Sequence, residues 1–276
     1  MRIPRLRNVL ATLLVLFGAF YLFGAISLAL RDDSIAGFAG PAASLETIAI
    51  FGASGTAGDG ILKAAMADPA VGKIHVVTRR ATPRIEEGIA SGKVQMTLHM
   101  DYLDYAAIRE QIAEVDAVFW AIGISARGVD ETTYGMIHVD FPRQFVEAWT
   151  GVSKQSDISF HYISSSDISA DSSMMWAREK ARAEKTLFGM AEGTNLRVIA
   201  YRPDYIGPTE EEAHVGQEIL YGFFAPVGAA VRATQIGQAM LEITARGGEF
   251  KNGDRVGTWS IRRYSDAYEQ RLIDTG

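Results

Sequence analysis

The chain has 276 residues, 48% of them hydrophobic, enough for a substantial core, so disorder is not the expectation. It contains no cysteine, which excludes a disulfide framework, a thiolate nucleophile and a zinc-thiolate site. The formal charge is -6, and setting aside residues 1–33, which carry four Arg and two Asp, takes it to -8, so the remainder is acidic and no nucleic acid partner is expected.

The N-terminus differs from the rest. Arg2, Arg5 and Arg7 precede an uncharged stretch of Leu, Val, Phe and Ala that closes at Arg31-Asp32-Asp33. Val9 to Leu30 is 22 residues, and roughly 20 suffice to cross a bilayer as a helix. This pattern predicts a single-pass membrane anchor within residues 1–33, in contact with lipid over residues 8–30. Two alternatives compete: a cleaved secretory signal, for which Ser27-Leu28-Ala29 offers a small-x-small site, and a buried helix, disfavoured because no face is polar. The positive-inside rule holds the arginines in the cytoplasm and sends the downstream domain across the membrane, unless the segment lies in the interface without crossing. Sidedness stays open. Residues 34–44, rich in Gly and Ala, read as a linker.

From Leu45 a domain running to residue 276 is expected. Apolar runs bounded by turn residues predict strands at about 47–52, 73–78, 93–99, 115–121, 158–164 and 196–202, with helices between them. This alternation predicts an α/β fold, a doubly wound parallel sheet of the Rossmann type. Ser172 or Ser173 is expected to cap the helix after the fifth strand. From about 209 a small substrate or lid region is expected. There Thr209 and Glu212 suggest a capping box, opening a helix with Ile219, Leu220, Phe223 and Phe224 that either covers a cleft or closes the core edge. Helices at 233–245 and 264–273 complete the chain.

The first strand runs into Gly52-Ala53-Ser54-Gly55-Thr56-Ala57-Gly58. In a dinucleotide fold the first glycine turns the chain off the strand, the second lets backbone approach a pyrophosphate, and the third lets the helix pack closely. The amides of the helix N-terminus, including those of Thr56 and Ala57, then face the phosphates. The second strand ends in Thr78-Arg79-Arg80 with no acidic residue, which favours a ribose 2′-phosphate and so NADP(H) over NAD(H). Asp101, followed by Tyr102, is placed to meet an adenine. Ala121-Ile122-Gly123 puts small residues where a cofactor would pass.

Together with the serines after strand five, a lysine on the next helix and Arg202-Pro203-Asp204-Tyr205-Ile206-Gly207-Pro208, these residues resemble the short-chain dehydrogenase/reductase superfamily, in its atypical branch. The resemblance covers about 45–246. It implies an oxidoreductase that uses a serine to polarise a carbonyl or alcohol, a tyrosine to transfer the proton, and a lysine four residues later to tune the tyrosine and hold the nicotinamide ribose. Arg202 and Pro203 would then border the cofactor, and Ser165, Ser166 and Lys180 would stand in the reaction site. The tyrosine position is Trp176, whose indole has one N–H donor and no ionisation near neutrality. Three routes remain: Tyr205 or Tyr134 substitutes as the phenol, water and a serine move the proton, or the domain binds a dinucleotide as a non-catalytic sensor or structural subunit. The apolar character of the region after 209 suggests a small lipophilic substrate. The histidines at 75, 99, 138, 161 and 214 show no metal-ligand spacing, so no metal is expected, and no Gly-x-Ser-x-Gly elbow is present.

Overall fold

The computed structural model describes residues 6–30, 34–37, 43 and 45–275. The charged flanks at Arg2, Arg5 and Arg31 to Asp33, and part of the expected linker, lie outside them. The elements run in chain order: α1 (Leu6–Ala29), β1 (Thr47–Phe51), α2 (Thr56–Ala67), β2 (Lys73–Thr78), α3 (Pro83–Ala90), β3 (Val94–Leu98), α4 (Arg109–Ile112), β4 (Ala117–Trp120), α5 (Glu131–Gly135), α6 (Phe141–Thr150), β5 (Ile158–Ile163) and α7 (Met175–Ala191). Then come β6 (Leu196–Arg202), β7 (Tyr205–Gly207), α8 (Val215–Phe224), β8 (Ala230–Arg232), α9 (Ala233–Ala245), β9 (Arg255–Gly257) and α10 (Thr258–Thr275).

The main sheet is parallel throughout, with strand order β3-β2-β1-β4-β5-β6-β9. The order reverses beside β1, so β1 and β4 flank the switch point at which such sheets open a crevice beyond their carboxyl ends. β1 shows why the strands are apolar without alternation: both of its faces are covered. Ile48 and Ile50 face a core shared with α2, α9 and α10, while Ala49 and Phe51 face one shared with α6 and α7. On the second side Phe51 stacks on Trp120 at 4.8 Å and meets Phe145 at 4.5 Å. The register pairs Phe51 with both Val77 and Trp120, so the loops after β1, β2 and β4 emerge side by side.

The six expected strands and the helix at 233–245 are present. β7, β8 and β9 were not foreseen, since three residues each are too few to show a pattern. The Thr209–Glu212 box does not form: Thr209 is buried and its hydroxyl donates to Asp59 Oδ2 at 3.3 Å. The helix starts at Val215 instead, where the Gln217 side chain accepts from the His214 amide at 3.0 Å. The residue preceding α7 is Met174, and neither Ser172 nor Ser173 occupies that position; Ser172 Oγ accepts from Met174 N at 3.1 Å, forming a local turn. The last helix begins at Thr258, earlier than expected, because Ile261 is buried and extends the core-facing stripe towards the N-terminus.

Candidate dinucleotide cleft and reaction site

The loops after β1, β2 and β4 enclose a cleft of about 310 Å³. Ten of the residues expected at a cofactor line it: Gly52, Ser54, Gly55, Thr78, Arg79, Arg80, Tyr102, Ala121, Ile122 and Gly123.

The three motif glycines meet different constraints. Gly52 has φ +83°, and a β-carbon there would lie 2.6 Å from the Ala121 carbonyl carbon, so conformation and the neighbouring strand both require glycine. At Gly58 a β-carbon would lie 2.0 Å from Gly52 O, which binds the first turn of α2 closely to the loop. Gly55 is unlike both. Its φ is -106°, and an added β-carbon would meet only Gly52 O at 3.5 Å, an ordinary contact. Gly55 and Thr56 are exposed, and no side chain caps the start of α2. Thr56, Ala57 and Gly58 supply its first-turn amides.

Thr78 is buried and closes a small turn in which its hydroxyl donates to Arg80 O at 2.9 Å and accepts from Arg80 N at 3.3 Å. That turn aims the Arg80 guanidinium at Ser54 O, 3.2 Å away, tying β2 to the glycine loop. Arg79 is exposed, with no hydrogen-bond or ion-pair partner among the described residues. Tyr102 is buried, stacks on Phe141 at 5.5 Å, and has its phenol pushed up to about 12 by burial. Asp101 is exposed and accepts from Leu103 N at 2.9 Å, so its carboxylate also shapes the turn.

Beyond Gly123 the cleft meets features that sequence reasoning missed. Residues Met136–Asp140 form a π-helical turn between α5 and α6. Pro142 gives its chemical reason: without an N–H it cannot bond the His138 carbonyl four residues back. That carbonyl accepts instead from Tyr162 Oη at 3.1 Å. The turn packs the His138 ring against Gly123, where a β-carbon would lie 2.7 Å from Cε1, and places Nε2 3.3 Å from both N and O of Ile124. Burial, then the nearby Lys180 charge, lowers the His138 pKa to about 3, so the ring is neutral. The buried Tyr134 ring lies 4.1 Å from that of His138, and burial followed by Glu179 pushes its phenol up to about 12. A proline within an otherwise helical pattern was the available signal.

Lys180 lies beneath the end of β5. It is buried, donates to Ile163 O at 2.7 Å and sits 4.9 Å over the Tyr162 ring. Burial lowers its pKa to about 7, against the opposing pull of Glu184. One turn on, Glu184 accepts from Arg202 at 2.8 and 2.6 Å and from Arg255 at 3.0 Å. Burial alone would raise the Glu184 carboxyl; the Arg202 hydrogen bonds lead the effects that hold it below its usual value. Arg202 is therefore occupied by this ion pair, away from the glycine loop. Ser165 and Ser166 are half-buried, with Ser166 N donating to the carbonyl of the buried Pro203 at 3.3 Å. Trp176 is half-buried on α7, one turn before Lys180. Tyr205 on β7 is half-buried, its ring 6.1 Å from Phe224 of α8. None of these lines the dinucleotide cleft, and α8 does not cover it. Among the described residues no His, Asp or Glu group is arranged to hold a metal.

This strand order and cleft can be set beside solved structures. A short-chain dehydrogenase/reductase from Serratia marcescens matches with a TM-score of 0.61 at 14% identity, covering 80% of this chain and 100% of its own. The fold is that of the short-chain dehydrogenases and reductases. A 3-oxoacyl-[acyl-carrier protein] reductase from Brucella melitensis, in complex with NAD, matches with a TM-score of 0.60 at 16% identity, covering 79% and 97%. UDP-glucuronic acid 4-epimerase from Bacillus cereus, also in complex with NAD, gives 0.58 at 14% identity, covering 76% and 77%. No family model and no curated protein sequence matches the chain. The dehydrogenase/reductase fold thus reaches this chain through shape, at identities that carry no residue roles.

Proposed function

We propose that the protein is a membrane-attached, NADP(H)-binding oxidoreductase-like protein whose domain, from about residue 45, acts on a small apolar carbonyl or alcohol. The observation that carries the cofactor reading is Gly55. Neither its backbone conformation nor protein packing requires glycine, and the space a side chain would take opens on the cleft beside uncapped helix amides. A pyrophosphate fits that space and that polarity. The solved complexes with NAD on the same fold support a nicotinamide dinucleotide there. Arg79, exposed and without a partner among the described residues, favours the 2′-phosphate form.

When bound, the nicotinamide would supply the hydride donor or acceptor. The chain's own part is positional: Gly52 to Gly58 hold the phosphates, Arg79 and Arg80 the adenosine end, and Gly123 borders the path, its missing side chain making room for His138. Lys180 fixes the Ile163 carbonyl and with it the turn carrying Ser165 and Ser166, the hydroxyls nearest to hand for a substrate oxygen. Trp176 favours the second reading, a dinucleotide-binding sensor or structural subunit, since no phenol stands at that point of α7.

Titration of the full chain in detergent with NADPH and with NADH, read by cofactor fluorescence, tests the proposal. NADPH is expected to bind more tightly. Arg79→Ala should weaken NADPH by about 10- to 100-fold, the worth of a charge-assisted hydrogen bond, and leave NADH unchanged. Absence of binding by either cofactor would reduce the glycine loop to a structural turn.

A further inference from the structure

The region after β7 carries more apolar surface than a folded domain ordinarily leaves in water. No residue of α8 is buried, and Val215, Ile219, Leu220 and Phe223 are 78%, 67%, 46% and 43% exposed. The opposite side of the helix closes on β7 through the Phe224–Tyr205 contact. The stripe is therefore no misplaced core face, because the core side is already satisfied.

It is continuous with α1. Phe223 stacks on Tyr21 at 5.3 Å and on Phe17 at 6.4 Å, and Tyr21 Oη donates to Phe223 O at 2.7 Å. Further along, a β-carbon on Gly24 would touch Val227, and one on Gly228 would meet Leu28 at 3.1 Å. Residues 18, 21, 24, 25 and 28 of α1 form the half-buried face towards the domain, while Phe20, Phe23 and Ile26 remain 77%, 71% and 56% exposed. Where the chain leaves α1, Trp259 and Arg262 stand beside Leu28 and Pro226, types that suit the boundary between headgroups and acyl chains.

We infer that α8 is a second lipid contact, its Val215–Ile219–Leu220–Phe223 stripe set in the bilayer leaflet that holds the domain-proximal half of α1. The inference rests on the membrane reading of α1. A protein partner covers one face of a helix, whereas the surface here passes around α1 and onto α8 without a polar break along the Phe17–Phe223 seam. Only a solvent that surrounds, such as acyl chains, satisfies such a shape. The domain is thereby held against the membrane by two helices, with β7 and Tyr205 directly behind the inserted one.

The absence of cysteine makes the test direct. Leu14→Cys, Ile219→Cys, Val215→Cys and Lys154→Cys are each made in the full chain, labelled with a polarity-sensitive fluorophore, and reconstituted into phosphatidylcholine vesicles with or without acyl-brominated lipid. Labels at 14, 219 and 215 should lose most of their emission to the brominated lipid and resist aqueous iodide, while the label at 154 does the reverse. If 219 and 215 behave like 154 while 14 is quenched, α8 faces water: the inference falls and the membrane reading of α1 stands. Shielding of 219 from iodide without quenching by lipid would show contact with a second copy of this chain and also overturn it. No lipid quenching at 14 would remove the membrane reading and this inference together.

Discussion

The glycine-loop cleft and the β5–α7 region outside it are built on opposite principles. At the glycine-loop end, side chains that could meet a ligand are left open: Gly55 faces space, α2 has no side-chain cap, and Arg79 has no partner among the described residues. At the β5–α7 end most of the charged and phenolic groups are spent on one another, Lys180 on Ile163, Tyr162 on the His138 carbonyl, and Arg202 on Glu184, while Ser164 Oγ and His138 Nδ1 are buried without a hydrogen-bond partner among the described residues. The difference teaches that the groups a dinucleotide would need and the groups chemistry would need are placed separately on this fold. The first needs backbone and space; the second needs a titratable group left exposed to substrate.

The strongest challenge to that contrast is Trp176→Tyr. If only the proton-transfer group is missing, oxidation or reduction of small apolar alcohols or ketones should rise by about 10²- to 10⁴-fold, the usual worth of a general acid or base. Single-turnover cofactor absorbance checks it. No gain, with cofactor still bound, would place the block in the packing around Lys180 and favour the non-catalytic reading.

A pair of glycine variants sharpens the other end. Gly58→Ala forces a β-carbon onto Gly52 O and should destabilise the domain by about 1–3 kcal/mol in urea unfolding, as overpacking does. Gly55→Ala should change stability by no more than about 0.5 kcal/mol, as at an unconstrained surface position. It should nevertheless weaken dinucleotide binding by about tenfold, or about 1.4 kcal/mol. Loss of stability at Gly55, or retention of full affinity, would break the claim that this glycine is kept for a ligand.

A further effect is expected on pH dependence. His138 and His161 both have pKa values lowered to about 3 by burial, against an ordinary 6.5. Between those limits the unfolded chain binds protons that the folded chain does not, so the stability the two neutral histidines contribute is fully present above about pH 6.5 and is lost as pH falls towards 3. Urea midpoints measured across that range should fall with acidification, and His138→Asn should make the decline shallower. A slope unchanged in His138→Asn would show that the reaction end is less tightly packed than its geometry implies.

Much of the fold and of the cleft was legible in the sequence because it rests on local rules. β1 is a short run of apolar, partly β-branched residues ending in glycine, and that length and ending favour a strand covered on both faces and turned sharply at its end. Arg79 and Arg80 could be assigned to a strand tip by counting. The capping of α8 was misplaced because Thr209 has a competing partner, Asp59, 150 residues away in the chain, and no local rule ranks a distant carboxylate against a nearby amide. The role of His138 was hidden for a related reason: a π-helical turn shifts the register of everything after it, and only Pro142 hinted at its presence.

By itself, then, the sequence determined the parallel doubly wound sheet, the position of the glycine loop and the apolar character of residues 8–30, since each derives from periodicity, backbone freedom or transfer out of water. Tertiary structure decided which polar groups are free and which are consumed. It paired Arg202 with Glu184, placed Lys180 under Ile163, and laid α8 against α1. Those outcomes depend on which distant groups meet when the chain closes, and hydrogen bonds and desolvation are settled only there.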